Sequence, residues 1–337
     1  MKTRTEPMPT KDHPPKRVRI AKPLIATAVL VSTTFSAPYA KAEDNSGPDL
    51  TEAVTAQMHR QHGNDAAESY GLGGAAQLPA PLVEPYRVSA DGQWTFGGSV
   101  YLLPEWVHAT PVTALFVARE VAGEWEVALQ SGGEFAQLME EAPVDLFPDA
   151  REKSALTSSN LRGLARPGLA LPWAEDQGGW RHWGVHGNGG NTRPFNAIDF
   201  YGGDGKTRAS ADGFLYRFCG TVNPYIEIHH VNGWRTGYYH LRNQTDVPSG
   251  SFVKRYDFLG EIGEELPCGG RANGDHVHWT LWHESEGQVV QDRVIGGWTW
   301  HEERAYRGWA QRGNERIGHS DCCLVNYGPF DGYIFNR

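Results

Sequence analysis

Several features that would define common protein classes are missing from this chain. Its 337 residues contain no heptad repeat, no internal repeat and no nucleotide-binding glycine loop. Basic residues are fewer than acidic ones, 31 against 40, so the chain lacks the excess of basic residues typical of nucleic-acid binding. The long helical periodicity of a helix bundle is absent too. Coiled coils, P-loop enzymes, helix bundles and nucleic-acid-binding proteins are therefore disfavoured.

Two well-known catalytic motifs are also absent. There is no His-Glu-x-x-His helix motif, which supplies two zinc ligands and a glutamate base in many metalloproteases. There is no Gly-x-Ser-x-Gly motif to carry a nucleophilic serine. The four cysteines include no Cys-x-x-Cys pair and are better suited to disulfides than to nucleophilic catalysis.

Glycine and aromatic residues are abundant, with 40 Gly, 12 Trp and 13 Tyr. Such a composition is typical of β-rich proteins with tight turns. Residues 225–231 and 234–241 predict two strands joined by Asn232-Gly233, a strong hairpin signal. Residues 258–262 and 276–281 predict two more. We therefore expect an all-β domain of antiparallel sheets in the C-terminal half.

The N-terminus predicts a secretory signal peptide, residues 1–42. An apolar run at 23–35 follows a basic segment and precedes Ala40-Lys41-Ala42, which suits cleavage after Ala42. A membrane anchor is the alternative, but the run is short for a bilayer. We expect secretion, with the periplasm as the other destination, and no stable membrane insertion after signal cleavage.

Charge divides the chain into three segments. Residues 1–42 carry a net +6, residues 43–162 a net −12 and residues 163–337 a net −3. The acidic middle segment is interpreted as a propeptide, with a permanent N-terminal domain as the alternative. Residues 149–169 have no periodicity and predict an exposed linker that contains the maturation site.

The proposed propeptide has predicted structure of its own. Residues 94–103, 113–118 and 125–129 predict strands, and 133–141 predict a short helix, whereas residues 43–80 are expected to be loose. The strands around Ala122-Gly123 are expected to form a hairpin. Together they predict a small α+β module.

The cysteines are Cys219, Cys268, Cys322 and Cys323, which allow three pairings. We favour Cys219 with Cys268, which would stabilise the fold by about 4 kcal/mol in a chain-entropy model. The adjacent Cys322 and Cys323 either form a vicinal pair or stay apart.

The most informative chemical motif is His276-Val277-His278. On a strand, side chains two residues apart share one face, so both imidazoles point the same way and suit metal binding or catalysis. A zinc site needs a third protein ligand and an open position. Candidates upstream are His186, in a glycine-rich loop followed by Asp199, and either His229 or His230.

The order His186, Asp199, Tyr239-His240-Leu241 and His276-Val277-His278 resembles the lysostaphin-type zinc endopeptidases. The β-lytic metalloendopeptidase and staphylolysin branch is the more similar one, over about residues 171–327. The resemblance implies one Zn²⁺ per chain, bound by His186, Asp199 and His278. It implies a catalytic pair, His240 and His276, close to the metal.

The resemblance further implies hydrolysis of Gly-rich peptide bonds, in peptidoglycan cross-bridges or Gly-rich proteins. We expect the protein to be a monomer. Two alternatives stand beside this activity. One is a non-catalytic cell-wall-binding or regulatory protein on the same fold, and the other is a zinc D,D-peptidase that cuts a different wall bond.

Overall fold

The structure is a computed structural model that describes residues 48–130, 132–157, 167–283 and 285–329. The predicted signal peptide lies outside these residues. The helices are α1 (Pro48–Ser69), α2 (Gly133–Glu141) and α3 (Ala150–Thr157), with a 3₁₀ turn at Ala75–Gln77. The strands are β1 (Leu82–Val88), β2 (Trp94–Tyr101), β3 (Val112–Val121), β4 (Glu124–Leu129), β5 (Trp180–His186), β6 (Ala197–Gly202), β7 (Lys206–Arg208), β8 (Gly213–Phe218), β9 (Tyr225–His230), β10 (Trp234–Arg242), β11 (Ser251–Val253), β12 (Phe258–Glu265), β13 (Val277–His283), β14 (Glu286–Gly287), β15 (Val294–Ile295), β16 (Trp298–His301), β17 (Trp309–Arg312) and β18 (Glu315–Gly318).

An N-terminal module, residues 48–157, contains the three helices and an antiparallel sheet in the order β1-β2-β3-β4. The predicted strands and the helix at 133–141 are confirmed. Ala122 and Gly123 both have positive φ, the backbone conformation that a tight two-residue hairpin requires. The α+β architecture predicted for this segment is therefore present.

The prediction that residues 43–80 are loose is wrong for α1, which has 22 residues. Buried side chains recur every fourth residue along this helix and just beyond it, at Leu50, Val54, Met58, His62, Ala66 and Tyr70. This stripe is built partly from alanine and histidine, so its apolar periodicity is weak in the sequence. Packing against the module's sheet stabilises the helix more than propensity does.

The predicted linker at 149–169 is also wrong in its first part, which forms α3. The carboxylate of Glu152 is buried and accepts hydrogen bonds from Arg87 (Nη1 to Oε2, 2.8 Å) and from the Tyr216 hydroxyl (2.5 Å). These tertiary contacts hold a helix that lacks an apolar stripe. Residues 158–166, the centre of the predicted linker, lie outside the described residues.

The C-terminal part, hereafter the C-terminal module, starts at residue 167. Its main sheet has ten strands, with the central order β11-β8-β9-β10-β13-β6-β5. Every pairing in it among the described residues is antiparallel. The hairpin at Asn232-Gly233 joins β9 to β10, as predicted. A third, four-stranded sheet contains β15 to β18. The predicted all-β antiparallel architecture is confirmed.

The chain divides into Met1–Asn45 and Ser46–Arg337, and all described residues belong to the second unit. Its described residues form two hydrophobic clusters, one of which lies within the C-terminal module. The other joins the two modules, because Phe214, Tyr216 and Phe218 of β8 pack against the N-terminal sheet and helices. Among the described residues, no helix combines the length and the apolar character needed to cross a membrane.

The predicted disulfide between Cys219 and Cys268 is present, with Cα atoms 5.2 Å apart. It connects the end of β8 to the loop that precedes β13. Cys322 and Cys323 are placed as a vicinal pair.

Two buried histidines make the stability of the fold sensitive to acid. Burial lowers the pKa of His182 and of His230 to about 4. In the unfolded chain both return to about 6.5. Between pH 4 and 6.5 the unfolded chain therefore binds more protons, so stability falls as the pH is lowered through this window.

We expect each of these histidines to remove about 2 kcal/mol from the free energy of unfolding between pH 7 and 4.5. Urea unfolding at the two pH values measures the difference. In His230→Gln, whose amide can still bond the Thr236 hydroxyl that His230 contacts at 2.8 Å, the pH-dependent loss should shrink by that amount. An unchanged pH dependence in this variant would contradict the assignment.

Candidate metal centre

His278 and Asp199 face each other across two neighbouring strands. They are register partners in the β13–β6 pairing, so their side chains project from the same face of the sheet. The Nδ1 atom of His278 lies 2.8 Å from Oδ1 of Asp199. Both residues are buried, at 4% and 5% exposure. His276, two residues earlier, projects to the same side, with Nε2 3.7 Å from the same oxygen.

His186 ends β5 at the edge of the sheet, and its Nε2 lies 3.2 Å from Oδ1 of Asp199. The loop that follows is tightly folded, because Gly187 and Gly190 exchange backbone hydrogen bonds. A Cβ atom on Gly187 would collide with the carbonyl of Thr192, so only glycine fits there. This loop places the carbonyl of Gly187 3.0 Å from His186 Nδ1.

His240 reaches the site through an irregular backbone. Its neighbour Tyr239 is the register partner of His278, so alternation along β10 would turn His240 to the opposite face. A φ of +68° and a register shift against β12 redirect it. Its ring consequently lies 4.7 Å from that of His276 and 6.1 Å from that of His278. A non-glycine residue held at positive φ costs energy and is often found at functional sites.

The imidazoles of His186, His240, His276 and His278 do not all use the same ring nitrogen to contact groups outside the cluster. His186, His240 and His276 each place Nδ1 against a backbone carbonyl, those of Gly187 (3.0 Å), Glu265 (3.0 Å) and Gly274 (2.8 Å) respectively. Donation from Nδ1–H to these oxygens leaves each Nε2 with its lone pair. His278 has the opposite arrangement, with Nδ1 facing Asp199 and Nε2 2.7 Å from the hydroxyl of Thr110.

The protonation states favour binding of a cation. Burial by itself would raise the pKa of Asp199, but the imidazoles of His186 and His276 and the hydrogen bond from His278 outweigh it and hold the pKa well below its usual value. Burial lowers the pKa of His278 to about 4, against the opposing effect of Asp199. Burial, and next His276 and His278, hold the pKa of His240 well below 6.5. One carboxylate therefore lies beside His240 and His278, which are neutral at pH 7.

His186, Asp199 and His278 each offer one ligand atom, and these atoms lie within 4.8 Å of one another. Nε2 of His186 is buried without a hydrogen-bond partner, which a bound cation would remedy. Two imidazoles and one carboxylate form a donor set that suits Zn²⁺ and leaves one position open. The residues present therefore fit the metal that the sequence motifs imply.

The competing sequence candidates, His229 and His230, do not reach this cluster. His230 Nε2 contacts the Thr236 hydroxyl, and His229 Nδ1 lies 3.1 Å from Gln130 Nε2 of the N-terminal module. His229 also lies near Glu227, with Nε2 3.4 Å from its carboxylate. Both histidines are part of the packing between strands and modules.

Sequence reasoning missed Tyr306. Its ring stacks on His186 at a centroid distance of 4.3 Å, and burial together with the charge of Asp199 raises its pKa, so the hydroxyl remains a donor at neutral pH. It lines a cavity of about 480 Å³ together with Asp199, His276 and Trp183. No strand pattern or motif surrounds this tyrosine, so the sequence contains no signal that would place it here.

Sequence reasoning also missed two residues of the N-terminal module, His108 and Thr110. His108 lines the same cavity. Thr110 is fully buried against His278. Residues 102–111 connect β2 to β3, and this connection enters the site.

Substitution of His240 tests whether its predicted catalytic role is separate from metal binding. Its side chain adjoins the three candidate ligands without being one of them. We expect His240→Ala to retain one metal ion per chain and to lose about 10²- to 10⁴-fold in kcat, the usual contribution of a proton-transferring group. Metal analysis and steady-state kinetics measure the two effects. Loss of the metal in this variant would show that His240 serves the metal centre instead.

Comparison with known proteins finds similarity to a peptidase family. Residues 193–291 match the model of peptidase family M23, a range that includes Asp199, His240, His276 and His278 and begins just after His186. Beta-lytic metalloendopeptidase of Lysobacter enzymogenes is 30% identical over 113 residues, which are 30% of this chain and 62% of that relative. The chain therefore spans about three fifths of the length of this curated relative.

Two solved structures are also similar. One, described as a novel M23 metalloprotease, pseudoalterin, from the deep sea, is 25% identical with a TM-score of 0.42 and covers 47% of this chain and 97% of its own. The other, the catalytic domain of the antimicrobial peptidase lysostaphin from Staphylococcus simulans, is 20% identical with a TM-score of 0.25 and covers 33% and 84%. By the family match and the curated relative, residues 193–291 are similar to peptidase family M23, which supports the resemblance to lysostaphin-type peptidases that the histidine motifs indicated.

Proposed function

We propose that this chain is a secreted zinc metalloendopeptidase that hydrolyses Gly-rich peptide bonds, with bacterial peptidoglycan cross-bridges as its substrate class. The observation that carries the proposal is the meeting of His186 Nε2, His278 Nδ1 and one oxygen of Asp199 on neighbouring strands. These three residues would hold one Zn²⁺ per chain. A zinc ion bound there would act as a Lewis acid and would lower the pKa of a bound water toward about 7.

The neighbouring histidines supply proton transfer. In His240 and His276 the hydrogen bond from Nδ1–H to a backbone carbonyl fixes the tautomer and leaves Nε2 free to accept a proton. Burial keeps His240 neutral at pH 7, which a base requires. After accepting a proton, either imidazole is placed to pass it to the leaving amine or to stabilise negative charge on the peptide oxygen.

We propose that the C-terminal module, called the peptidase module from here on, binds substrate in a groove between the loop of Gly189 and Gly190 and the loop of Gly269 and Gly270. A substrate with little side-chain volume suits this groove. Gly269 and Gly270 form one wall, and a Cβ on either would collide with the backbone or side chain of Leu103 in the present structure. Gly189 and Gly190 belong to the opposite loop. Backbone in the groove can therefore approach backbone in its walls closely, and glycine residues permit that approach without steric cost.

We propose that residues 43–162 are a propeptide that blocks this groove. The connection between β2 and β3 lies across it, since Leu103 N donates to Cys268 O (2.8 Å) on one wall and Thr110 N donates to Asn188 O (3.1 Å) on the other. Between these anchors His108 lines the same cavity as Asp199. Maturation by cleavage within residues 158–166, and export directed by residues 1–42, belong to the same proposal. The disulfide between Cys219 and Cys268 fits an oxidising destination.

Metal content and peptide hydrolysis, measured together, test the proposed function. The protein is used after proteolytic removal of the N-terminal module, with His278→Ala as the comparison and with a pentaglycine peptide and a pentaalanine peptide as matched substrates. We expect about one zinc per chain, cleavage of the glycine peptide, and loss of both in the variant. Zinc without any hydrolysis would favour the non-catalytic wall-binding alternative. Equal cleavage of both peptides would overturn the substrate class.

A further inference from the structure

The N-terminal module supplies one atom to the immediate surroundings of the candidate metal ligands. The Thr110 hydroxyl lies 2.7 Å from His278 Nε2. Thr110 is 0% exposed and His278 is 4% exposed, so water does not compete for this contact. The backbone of Thr110 is fixed as well, by its hydrogen bond to Asn188 O (3.1 Å).

The chemistry of imidazole makes this contact specific. A neutral ring has one N–H and one lone pair. If His278 presents the lone pair of Nδ1 to a cation, its proton must reside on Nε2, and a buried N–H without an acceptor is costly. The oxygen of Thr110 is the acceptor at hydrogen-bond distance from that atom. The other three histidines of the site use backbone carbonyls of the peptidase module for the same purpose.

We propose that Thr110 is a positioning residue for metal binding: it holds the ring and the tautomer of His278, so that the N-terminal module completes the metal site as well as covering it. This inference rests on the proposed metal centre. Outer hydrogen-bond partners of metal-bound histidines typically contribute 10- to 100-fold to metal affinity. The uncleaved chain is thus the form in which His278 is best oriented to acquire the metal, and the Thr110 contact is lost when the module leaves.

The structure offers a matched control in the same module. Thr113 is also a buried threonine whose hydroxyl crosses to the peptidase module, where it donates to Glu227 at 2.5 Å. Loss of the Thr113 hydroxyl weakens the contact between modules without touching the metal ligands. Thr110→Val removes the acceptor at nearly constant volume, and Thr110→Ser restores it.

The test measures the Zn²⁺ and Co²⁺ affinities of the full-length chain by competition with a chromophoric chelator, with urea unfolding of each metal-free variant alongside. We expect Thr110→Val to bind both metals about 10- to 100-fold more weakly. Thr110→Ser and Thr113→Val should bind within about threefold of the parent, with Thr113→Val at least as destabilised as Thr110→Val. The absorption bands of bound Co²⁺ should shift in Thr110→Val only.

Unchanged affinity in Thr110→Val would overturn the proposal, as would an equal loss in Thr113→Val, since the effect would then come from a loosened interface. If Thr110→Val does not fold, Thr110→Ala and Thr110→Ser are compared, and equal affinities in these two would refute the role of the hydroxyl. Failure of the parent to bind either metal would instead refute the metal centre itself, and this inference with it.

Discussion

Asp199→Asn is expected to abolish stoichiometric metal binding and to lower peptidase activity about 10³-fold or more, the equivalent of about 4 kcal/mol of activation free energy. A single oxygen, Oδ1, lies 2.8 Å from His278, 3.2 Å from His186 and 3.7 Å from His276. The substitution keeps the size of the side chain and removes its charge. The site would then present only neutral groups to a divalent cation. This variant therefore measures the effect of losing the charge without a change in side-chain volume.

The measurement is zinc per chain by elemental analysis, together with kcat/KM on a glycine peptide. Asp275→Asn is the matched control, because Asp275 is the neighbour of His276 but is exposed and pairs with Arg242 at the surface (2.9 Å). We expect that control to change neither quantity by more than about twofold, as for other exposed ion pairs. One zinc per chain in Asp199→Asn would exclude Asp199 as a required ligand.

The predicted site residues could be brought together from the sequence because strand geometry is simple. Side chains two residues apart on one strand project from the same face of the sheet. This rule predicted the shared orientation of His276 and His278. The choice between His186 with Asp199 and the pair His229 and His230 depended on family resemblance. In the structure, Asp199 lies beside the His276-Val277-His278 motif because β6, which carries Asp199, is the neighbour of β13.

Other parts of the site are invisible to such reasoning. A regular strand would have turned His240 away, and only a positive φ and a register shift bring it in. Thr110 meets His278 across 168 residues of sequence. No local pattern encodes such a distant contact. The sequence failed to predict α3 for the same reason, because its buried Glu152 is hydrogen-bonded to residues far away along the chain.

Cleavage within residues 158–166 alone is expected to leave the proposed peptidase inactive. The modules share a hydrophobic cluster that includes Tyr216 and Phe218 of the peptidase module. Buried polar contacts cross the same interface, including Glu152 to the Tyr216 hydroxyl and Gln130 to His229. None of these contacts depends on a covalent link through residues 158–166. A nicked chain should therefore remain a complex with the groove still filled.

We expect a chain cut within residues 158–166 to elute as one species in size-exclusion chromatography and to cleave a glycine peptide at no more than a few per cent of the final rate. Digestion of the N-terminal module should then raise activity about 10²-fold or more, because only a small fraction of a tightly bound complex is open at any time. Peptide hydrolysis and chromatography of the same samples measure both steps.

The Glu227→Gln variant tests whether contacts between the two modules keep the nicked chain inactive. Glu227 is 1% exposed, accepts from Thr113 of the N-terminal module and pairs with Arg235 at 3.3 Å. Loss of its charge leaves Arg235 buried without its ionic partner, which weakens the interface far from the metal ligands. In the nicked form this variant should release its N-terminal module and gain activity earlier than the parent. Full activity of the nicked parent while both fragments still elute together would refute a blocked groove, since the contacts of residues 103–110 would then be compatible with substrate binding.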